Sequence, residues 1–284
     1  MKNSKYKMVR VFHFSFFILY CALLSGCALF GAPDRAPLRQ ATADELTALL
    51  AEREAAIHTM KGLFSAKITG GILPIGQRVE GTVFYQRPNA LRLRGFNALG
   101  GELFEFVQLN DEYRLRLPSM GREVNGRSSE PEKMGQLARP FQLSVWAMSG
   151  ILGTGAIAPH ERVVLTEDDD RYRLDVFEES ANNGDVAPIP VRRIWFDRRN
   201  LQVVREERVS AQGDVEATLQ FDDFRPVGQP MSQSTSLNNE PADRQLLRPF
   251  KIVMKDGRGQ GNVQVTFYEI IPNMPIKPSE LGQV

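Results

Sequence analysis

The chain has 284 residues, 42 % of them hydrophobic, which is long enough to bury a core of its own. Its 35 Lys and Arg nearly balance 34 Asp and Glu, and so even a balance argues against the concentrated basic surface that nucleic-acid binding usually needs. With only two cysteines, Cys21 and Cys27, a disulfide-stapled scaffold is excluded as well.

Residues 1–26 have the layout of a secretory leader. Lys2, Lys5, Lys7 and Arg10 form a basic front, and the apolar run Val11 to Leu24 is shorter than the roughly 20 residues of a spanning helix. The run ends in Leu24-Ser25-Gly26-Cys27, the lipobox pattern, in which small residues admit the processing enzymes and the Cys27 thiol receives diacylglycerol before cleavage ahead of it. The competing reading is a plain leader or an anchor helix with an incidental cysteine. By the enterobacterial sorting rule an aspartate after the cysteine favours the inner membrane, so Ala28 points to the outer membrane, with the domain facing the periplasm. Maturation would leave 31 Lys and Arg against the 34 acidic residues, a formal net charge of −3. Cys21 would leave with the leader and Cys27 would carry lipid, so no thiol remains for a disulfide, a thiolate metal site or nucleophilic catalysis.

Residues 27–41 read as a lipidated, flexible tether, with two prolines, a glycine and no apolar period in Gly31 to Ala41. Residues 42–284 are then expected to form one domain. Thr42 and Glu45 make a capping box, and Leu46, Leu49, Leu50, Ile57 and Met60 fall on one helical face, with Gly62 as the stop. From Leu63 the period changes to two. Strands are predicted over Phe64 to Thr69 and Arg78 to Gln86, followed by a three-stranded meander from Ala90 to Leu117.

In the meander Leu91 and Leu93 alternate with Arg92 and Arg94, and Leu103, Val107 and Leu109 take the face opposite Phe104 and Phe106. Asn110-Asp111 supplies the second turn. The first break, Asn97-Ala98-Leu99-Gly100-Gly101, carries a bulky apolar residue where turns are usually polar. Leu99 either protrudes into solvent or folds back onto the core. Met134 to Leu152 returns to helical period, with Phe141, Val145, Met148 and Leu152 on one face and Pro140 at its start. Strand patterns resume at Arg162 to Thr166, Tyr172 to Phe177, Val191 to Asp197, Leu201 to Val209, Val215 to Phe221, Phe250 to Lys255 and Val263 to Ile270. Polar residues 228–244 interrupt them as a long loop.

Three features together resemble the LolB-type outer-membrane lipoprotein receptors, which share a fold with the LolA-type periplasmic carriers. They are the alternation Arg92 to Arg94, the loop Asn97-Ala98-Leu99-Gly100 leading to Gly101-Glu102-Leu103, and the tryptophan helix Val145-Trp146-Ala147-Met148-Ser149-Gly150-Ile151-Leu152-Gly153. The likeness covers the first half of the chain well and the second half in strand rhythm only. It implies an α+β, mainly β fold: a strongly curved antiparallel half-barrel of about ten or eleven strands, covered by two or three helices. It further implies a monomer, tethered to the outer membrane, that accepts acylated lipoproteins or lipid, with a periplasmic LolA-like carrier as a partner.

On that resemblance Leu99, Asn97 and Gly100 form a membrane-insertion loop. Acyl chains such as palmitate would lie in an apolar hollow lined by Leu93, Val107, Leu115, Phe141 and Trp146. The aromatic residues fit ordinary core as well, and the arginines at 92, 94, 114 and 116 fit a solvated sheet face as well as a surface for anionic headgroups. The rival to a lipid carrier is a structural or assembly envelope lipoprotein whose core is filled and whose surface binds a protein partner.

Enzyme chemistry is not expected. His58 and His160 have no spacing for a metal or a triad. Asp168-Asp169-Asp170 lacks the spaced ligands of a calcium loop, and neighbours such as Glu206-Glu207 fall on opposite faces of a strand. Gly150, Gly153 and Gly155 end a helix rather than open one, with no Lys-Ser/Thr pair after them, so no phosphate loop is read there. Beyond the lipid on Cys27, neither cofactor nor metal is implied.

Overall fold

Alternation of apolar and polar residues over most of the chain builds a single antiparallel sheet of thirteen strands. The structure is a computed structural model, and it describes residues 36–70, 78–127, 155–178, 188–228, 246–257, 259 and 261–283. In the first half β1 (Thr59–Gly70), β2 (Arg78–Gln86), β3 (Ala90–Phe96), β4 (Glu102–Leu109), β5 (Glu112–Leu117) and β6 (Arg122–Arg127) pair in sequence order. The second half starts at the far edge with β7 (Glu161–Asp168) and β8 (Arg171–Glu178). It works back through β9 (Arg192–Asp197), β10 (Val203–Val209), β11 (Val215–Pro226) and β12 (Leu247–Asp256) to β13 (Gly261–Pro272), which pairs with β1. The seam between the halves is therefore the β1–β13 pair, and the chain changes edge between Arg127 and Glu161.

The sheet is open and curled, and its inner face carries the core. Two α-helices belong to the described residues, α1 (Ala43–Ala55) and the single turn α2 (Pro278–Leu281). Thr42 caps α1: its Oγ1 accepts the Glu45 N–H at 3.2 Å, while the Thr42 N–H donates to the Glu45 carboxylate at 2.7 Å. Leu46 and Leu50 of α1 are fully buried in the core. All strands and both helices lie within one unit, residues 39–284. No helix among the described residues is long and apolar enough to cross a membrane.

The structure differs from the sequence expectations in three places. Helix α1 stops at Ala55 rather than running to Gly62. Ile57 and Met60 are buried as expected for its apolar face, but Met60 already pairs with Tyr85 and Pro272 in β1. The inner stripe Met60, Gly62, Phe64, Ala66, Ile68 has period two, and Gly62 sits inside it: a Cβ there would lie 3.0 Å from Val83 Cγ1. Second, the sheet is wider than ten or eleven strands. β6 has little apolar alternation and is held to β5 by its backbone, from Leu117–Arg122 to Glu112–Arg127. Third, the start of β1 moves forward to Thr59 for the reason given for α1. The expected leader, the helix from Met134 to Leu152 and the polar loop 228–244 lie wholly or almost wholly outside the described residues.

Candidate functional site

Residues Asn97–Gly101 form the turn between β3 and β4, and Asn97 organises it. The Asn97 N–H donates to Gly101 O at 2.9 Å, and the Gly100 N–H donates to Asn97 O at 3.0 Å. The Asn97 side-chain oxygen accepts the N–H groups of both Leu99 and Gly101 at 2.9 Å, an Asx-type closure. Gly100 has φ +82°, a conformation that favours glycine. With the backbone groups satisfied locally, the turn has no need to fold inward. The Leu99 side chain is 96 % exposed, the most exposed large apolar residue among those described.

The strands below the turn are tied by charge. Glu102 accepts from Arg94 Nε at 2.8 Å and from Arg116 Nη2 at 3.1 Å. Three residues on, Glu105 is only 3 % exposed. It accepts from Arg92 Nε at 2.9 Å and lies 3.2 Å from Arg116 and 3.7 Å from Arg114. Burial alone would raise the Glu105 pKa, but the hydrogen bond from Arg92 and the charges of Arg92, Arg116 and Arg114 outweigh it and hold the group below its ordinary value. The four arginines of the stripe are therefore knit into a cross-strand ladder on the outer face.

Of the proposed hollow-lining residues, Leu93 and Leu115 face inward on either side of Phe106, to which both are directly paired. Both belong to the buried core. Val107 must be reassigned. It pairs with Arg92 and Arg114, so it lies on the outer face, where the C-terminal turn covers it. A Cβ on Gly282 would lie 3.0 Å from Val107 Cγ2. That turn is held by Lys61 to Glu280 at 2.9 Å and by Arg92 Nη1 donating to Glu280 O at 3.1 Å. Phe141 and Trp146 lie outside the described residues, as does Cys27.

The inner face of the first half has a recurrent fit that the sequence did not announce. In β1–β2, β3–β4 and β5–β6 an aromatic ring covers the glycine directly across the strand pair: Phe64 over Gly81, Phe104 over Gly95 and Tyr113 over Gly126. A Cβ at any of the three would collide with the ring, and at Gly81 it would also meet Arg94 O at 2.6 Å.

A buried ionic cluster on the inner face of the second half was also missed. Glu206 is 1 % exposed, between Ile194 and Leu219 across the strands, and Arg208 Nε approaches its Oε1 to 2.8 Å. Next to it Arg192 donates to Gly155 O at 3.0 Å and lies 3.8 Å from Glu161. Glu54, from the end of α1, accepts from Arg87 at 2.7 Å and from the Ala156 N–H. Burial pushes Glu54 upward, but its bonds from Arg87 and Ala156 and the nearby charges of Arg87 and Arg192 leave it below its ordinary pKa. Burial lowers Arg192, against the opposing pull of Glu206. The only sequence signal was the run Arg205-Glu206-Glu207-Arg208, where a strand pattern puts charge on both faces. Its chemistry is fastening: it clamps residues 155–158, with Ala158 N–H donating to Glu161 at 2.7 Å.

His58 and His160 are both exposed, and no group of three or more His, Cys, Asp or Glu among the described residues is placed to hold a metal ion. The triple aspartate forms the β7–β8 turn, with Asp168 paired to Arg171 across it.

No protein-family model and no curated protein matches the sequence. Solved structures do match its fold. A domain assigned to outer-membrane lipoprotein sorting, from Vibrio parahaemolyticus, superposes with a TM-score of 0.50 at 12 % identity, covering 85 % of this chain and 97 % of that one. A DUF1329 family protein from Desulfovibrio piger gives 0.50 at 8 % identity over 85 % of this chain and 98 % of its own. A LolA superfamily protein from Nitrosomonas europaea gives 0.48 at 11 % identity, covering 83 % and 96 %. At such identities the likeness is one of fold: a curled, open antiparallel sheet.

Proposed function

We propose that this chain is an outer-membrane lipoprotein, anchored through lipid on Cys27, that receives acylated lipoproteins or lipid in the periplasm and passes the acyl chains into the membrane. A LolA-like carrier would deliver them. The observation that carries this reading is Leu99, 96 % exposed on a turn whose backbone bonds are closed by Asn97. An isolated surface leucine is ordinary. One held at the tip of a closed turn, on the fold of a lipoprotein-sorting domain, has a use: burying such a side chain in hydrocarbon is worth about 1.5–3 kcal/mol. Acyl chains would be held on the inner face near Leu93 and Leu115, at roughly 0.8 kcal/mol per buried methylene. Transfer would then run down a difference in affinity, with the membrane as the final acceptor.

The test is lipoprotein transfer from a loaded carrier to outer-membrane vesicles. Leu99→Glu is expected to abolish most of the transfer while leaving the far-ultraviolet circular dichroism unchanged. Transfer at the parental rate by a folded Leu99→Glu protein would remove the loop from the mechanism.

One observation favours a second reading, an envelope assembly lipoprotein that binds a protein partner. On the inner face of the first half rings are laid over Gly81, Gly95 and Gly126, and Leu93 and Leu115 are themselves buried. Native mass spectrometry of the Cys27→Ser protein separates the two. Retention of a phospholipid or acyl mass supports the carrier, and a bare protein mass together with a stable protein complex supports the alternative.

A further inference from the structure

Leu99 does not stand alone at its end of the sheet. The turn from β5 to β6, Pro118–Met120 followed by Gly121, reaches the same end as the β3–β4 turn. The β4–β5 register ends with Glu105 opposite Arg116, and beyond it the Pro118–Met120 turn lies against β4, the strand that the β3–β4 turn leads into. Met120 is 45 % exposed. Its turn is closed locally, as that of Leu99 is: the Gly121 N–H donates to Pro118 O at 3.1 Å, and Gly121 takes φ +59°. Neither turn tip is needed by the core. At the opposite end the same strands are joined by Arg87-Pro88-Asn89 and by Asn110-Asp111, both polar.

The two apolar tips are also coupled. Glu102 bridges Arg94, at the foot of the first turn, to Arg116, at the foot of the second. Side chains of this type commonly lie along an apolar surface with the guanidinium at the water boundary, and those of Arg94 and Arg116 are 35 % and 46 % exposed. Glu123 lies across from Arg116 on β6, so the charges here come close to balance. The apolar tips, rather than a basic field, then make the contact.

We propose that Leu99 and Met120 form a two-point apolar contact with a phospholipid bilayer, with Arg94 and Arg116 at headgroup depth behind them. Two points on neighbouring turns fix the tilt of the sheet against the membrane, which a single leucine does not. This inference rests on the reading of Asn97–Gly101 as a membrane-entering loop, and it adds Met120 as a second element of that site.

The experiment uses the full lipid-anchored protein in vesicles of phosphatidylethanolamine and phosphatidylglycerol. Because the Cys27 thiol is consumed by lipid, a single introduced cysteine is the free thiol. Leu99→Cys, Met120→Cys, Asn89→Cys and Asp111→Cys are each labelled with an environment-sensitive fluorophore and exposed to phospholipids brominated on the acyl chains. The expected result is a blue shift and loss of fluorescence at positions 99 and 120, persisting in high salt, with neither at 89 or 111. Quenching at 99 without quenching at 120 overturns the two-point contact and leaves the loop reading intact. Quenching at none of the four overturns both, and equal quenching at all four overturns the assignment of this end of the sheet.

Discussion

The two halves of the sheet are alike on the outside and different within. On the outer face each half crosses its strands with a ladder of arginines and carboxylates. Glu105 sits among Arg92, Arg114 and Arg116 in the first half, while Asp175 and Glu207 sit among Arg173, Arg193 and Arg205 in the second. On the inner face of the first half one row reads Val83, Leu93, Phe106, Leu115, all buried. The matching row of the second half reads Leu174, Ile194, Glu206, Leu219, Met254, and the next reads Val176, Arg192, Arg208, Ala217, Asp256. An apolar row needs only volume and contact. A row with charge needs each partner present, because a desolvated carboxylate or guanidinium left alone costs far more than a missing methylene.

The largest expected effects test that difference. Phe106→Ala, which empties the middle of the apolar row and removes the ring stacked 5.9 Å from Tyr113, should cost about 3–5 kcal/mol in urea unfolding. Arg192→Leu should cost a similar amount, about 3–5 kcal/mol, by a different route: it leaves Glu206 and Glu161 short of a cation and Gly155 O without its donor. The two routes separate in a double variant. Removing Glu206 as well, in Arg192→Leu with Glu206→Leu, should recover part of the loss, whereas no second truncation rescues Phe106→Ala. If Arg192→Leu alone is as stable as the parent, the inner cluster is not a paired system and the contrast between the halves fails.

A smaller effect sharpens the likeness of the outer faces. Glu105→Gln removes the charge that several arginines converge on, and should cost about 1.5–3 kcal/mol at neutral pH. The sign with pH follows from the direction of the shift. Glu105 is held below an ordinary glutamate value near 4.5, so its contribution is complete above that value and disappears as the pH falls through its lower folded value. Parent and Glu105→Gln should therefore converge in stability below about pH 4.5, while the parent itself weakens. Glu54, also depressed, adds to that acid lability and is unchanged by the variant. A gap that stays constant from neutral to acid pH would mean that Glu105 is not the group being titrated.

Much of this architecture could be read from period alone, and the failures share a cause. Alternation located the strands of the meander and showed that Phe104 and Phe106 oppose Leu103 and Val107. It could not say which of those faces is inner, because that depends on register with Leu93 and on the C-terminal turn, which covers Val107 from outside. Met60 satisfied a helical face and an inner strand stripe equally well, so the end of α1 was invisible until β13 and β2 claimed the backbone of β1. β6 carries almost no side-chain signal because its pairing is made by the backbone. The strand pattern puts Glu206 and Glu207 on opposite faces without saying which is inner, and only the cross-strand neighbours Ile194 and Leu219 place Glu206 there. In the loop, by contrast, Asn97 and Gly100 were legible as turn chemistry, since an Asx closure and a left-handed glycine are properties of those residues themselves.

The smallest effect on stability belongs to the residue with the largest proposed role. Leu93 and Leu99 lie six positions apart, on one strand and the turn that ends it, and differ as fully as two leucines can: 3 % against 96 % exposed. A carboxylate at position 93 would be forced between Val83 and Phe106 without a partner, so Leu93→Glu should unfold the protein or cost several kcal/mol. At position 99 the same substitution exchanges one solvated side chain for another on a turn whose bonds run through Asn97 and the backbone. Leu99→Glu should therefore stay within about 0.5 kcal/mol of the parent in urea unfolding and shift the melting temperature little. A loss of more than about 2 kcal/mol at Leu99 would place its side chain in the core in solution. With stability unchanged, any loss of lipoprotein transfer in this variant belongs to the tip itself and to what it touches.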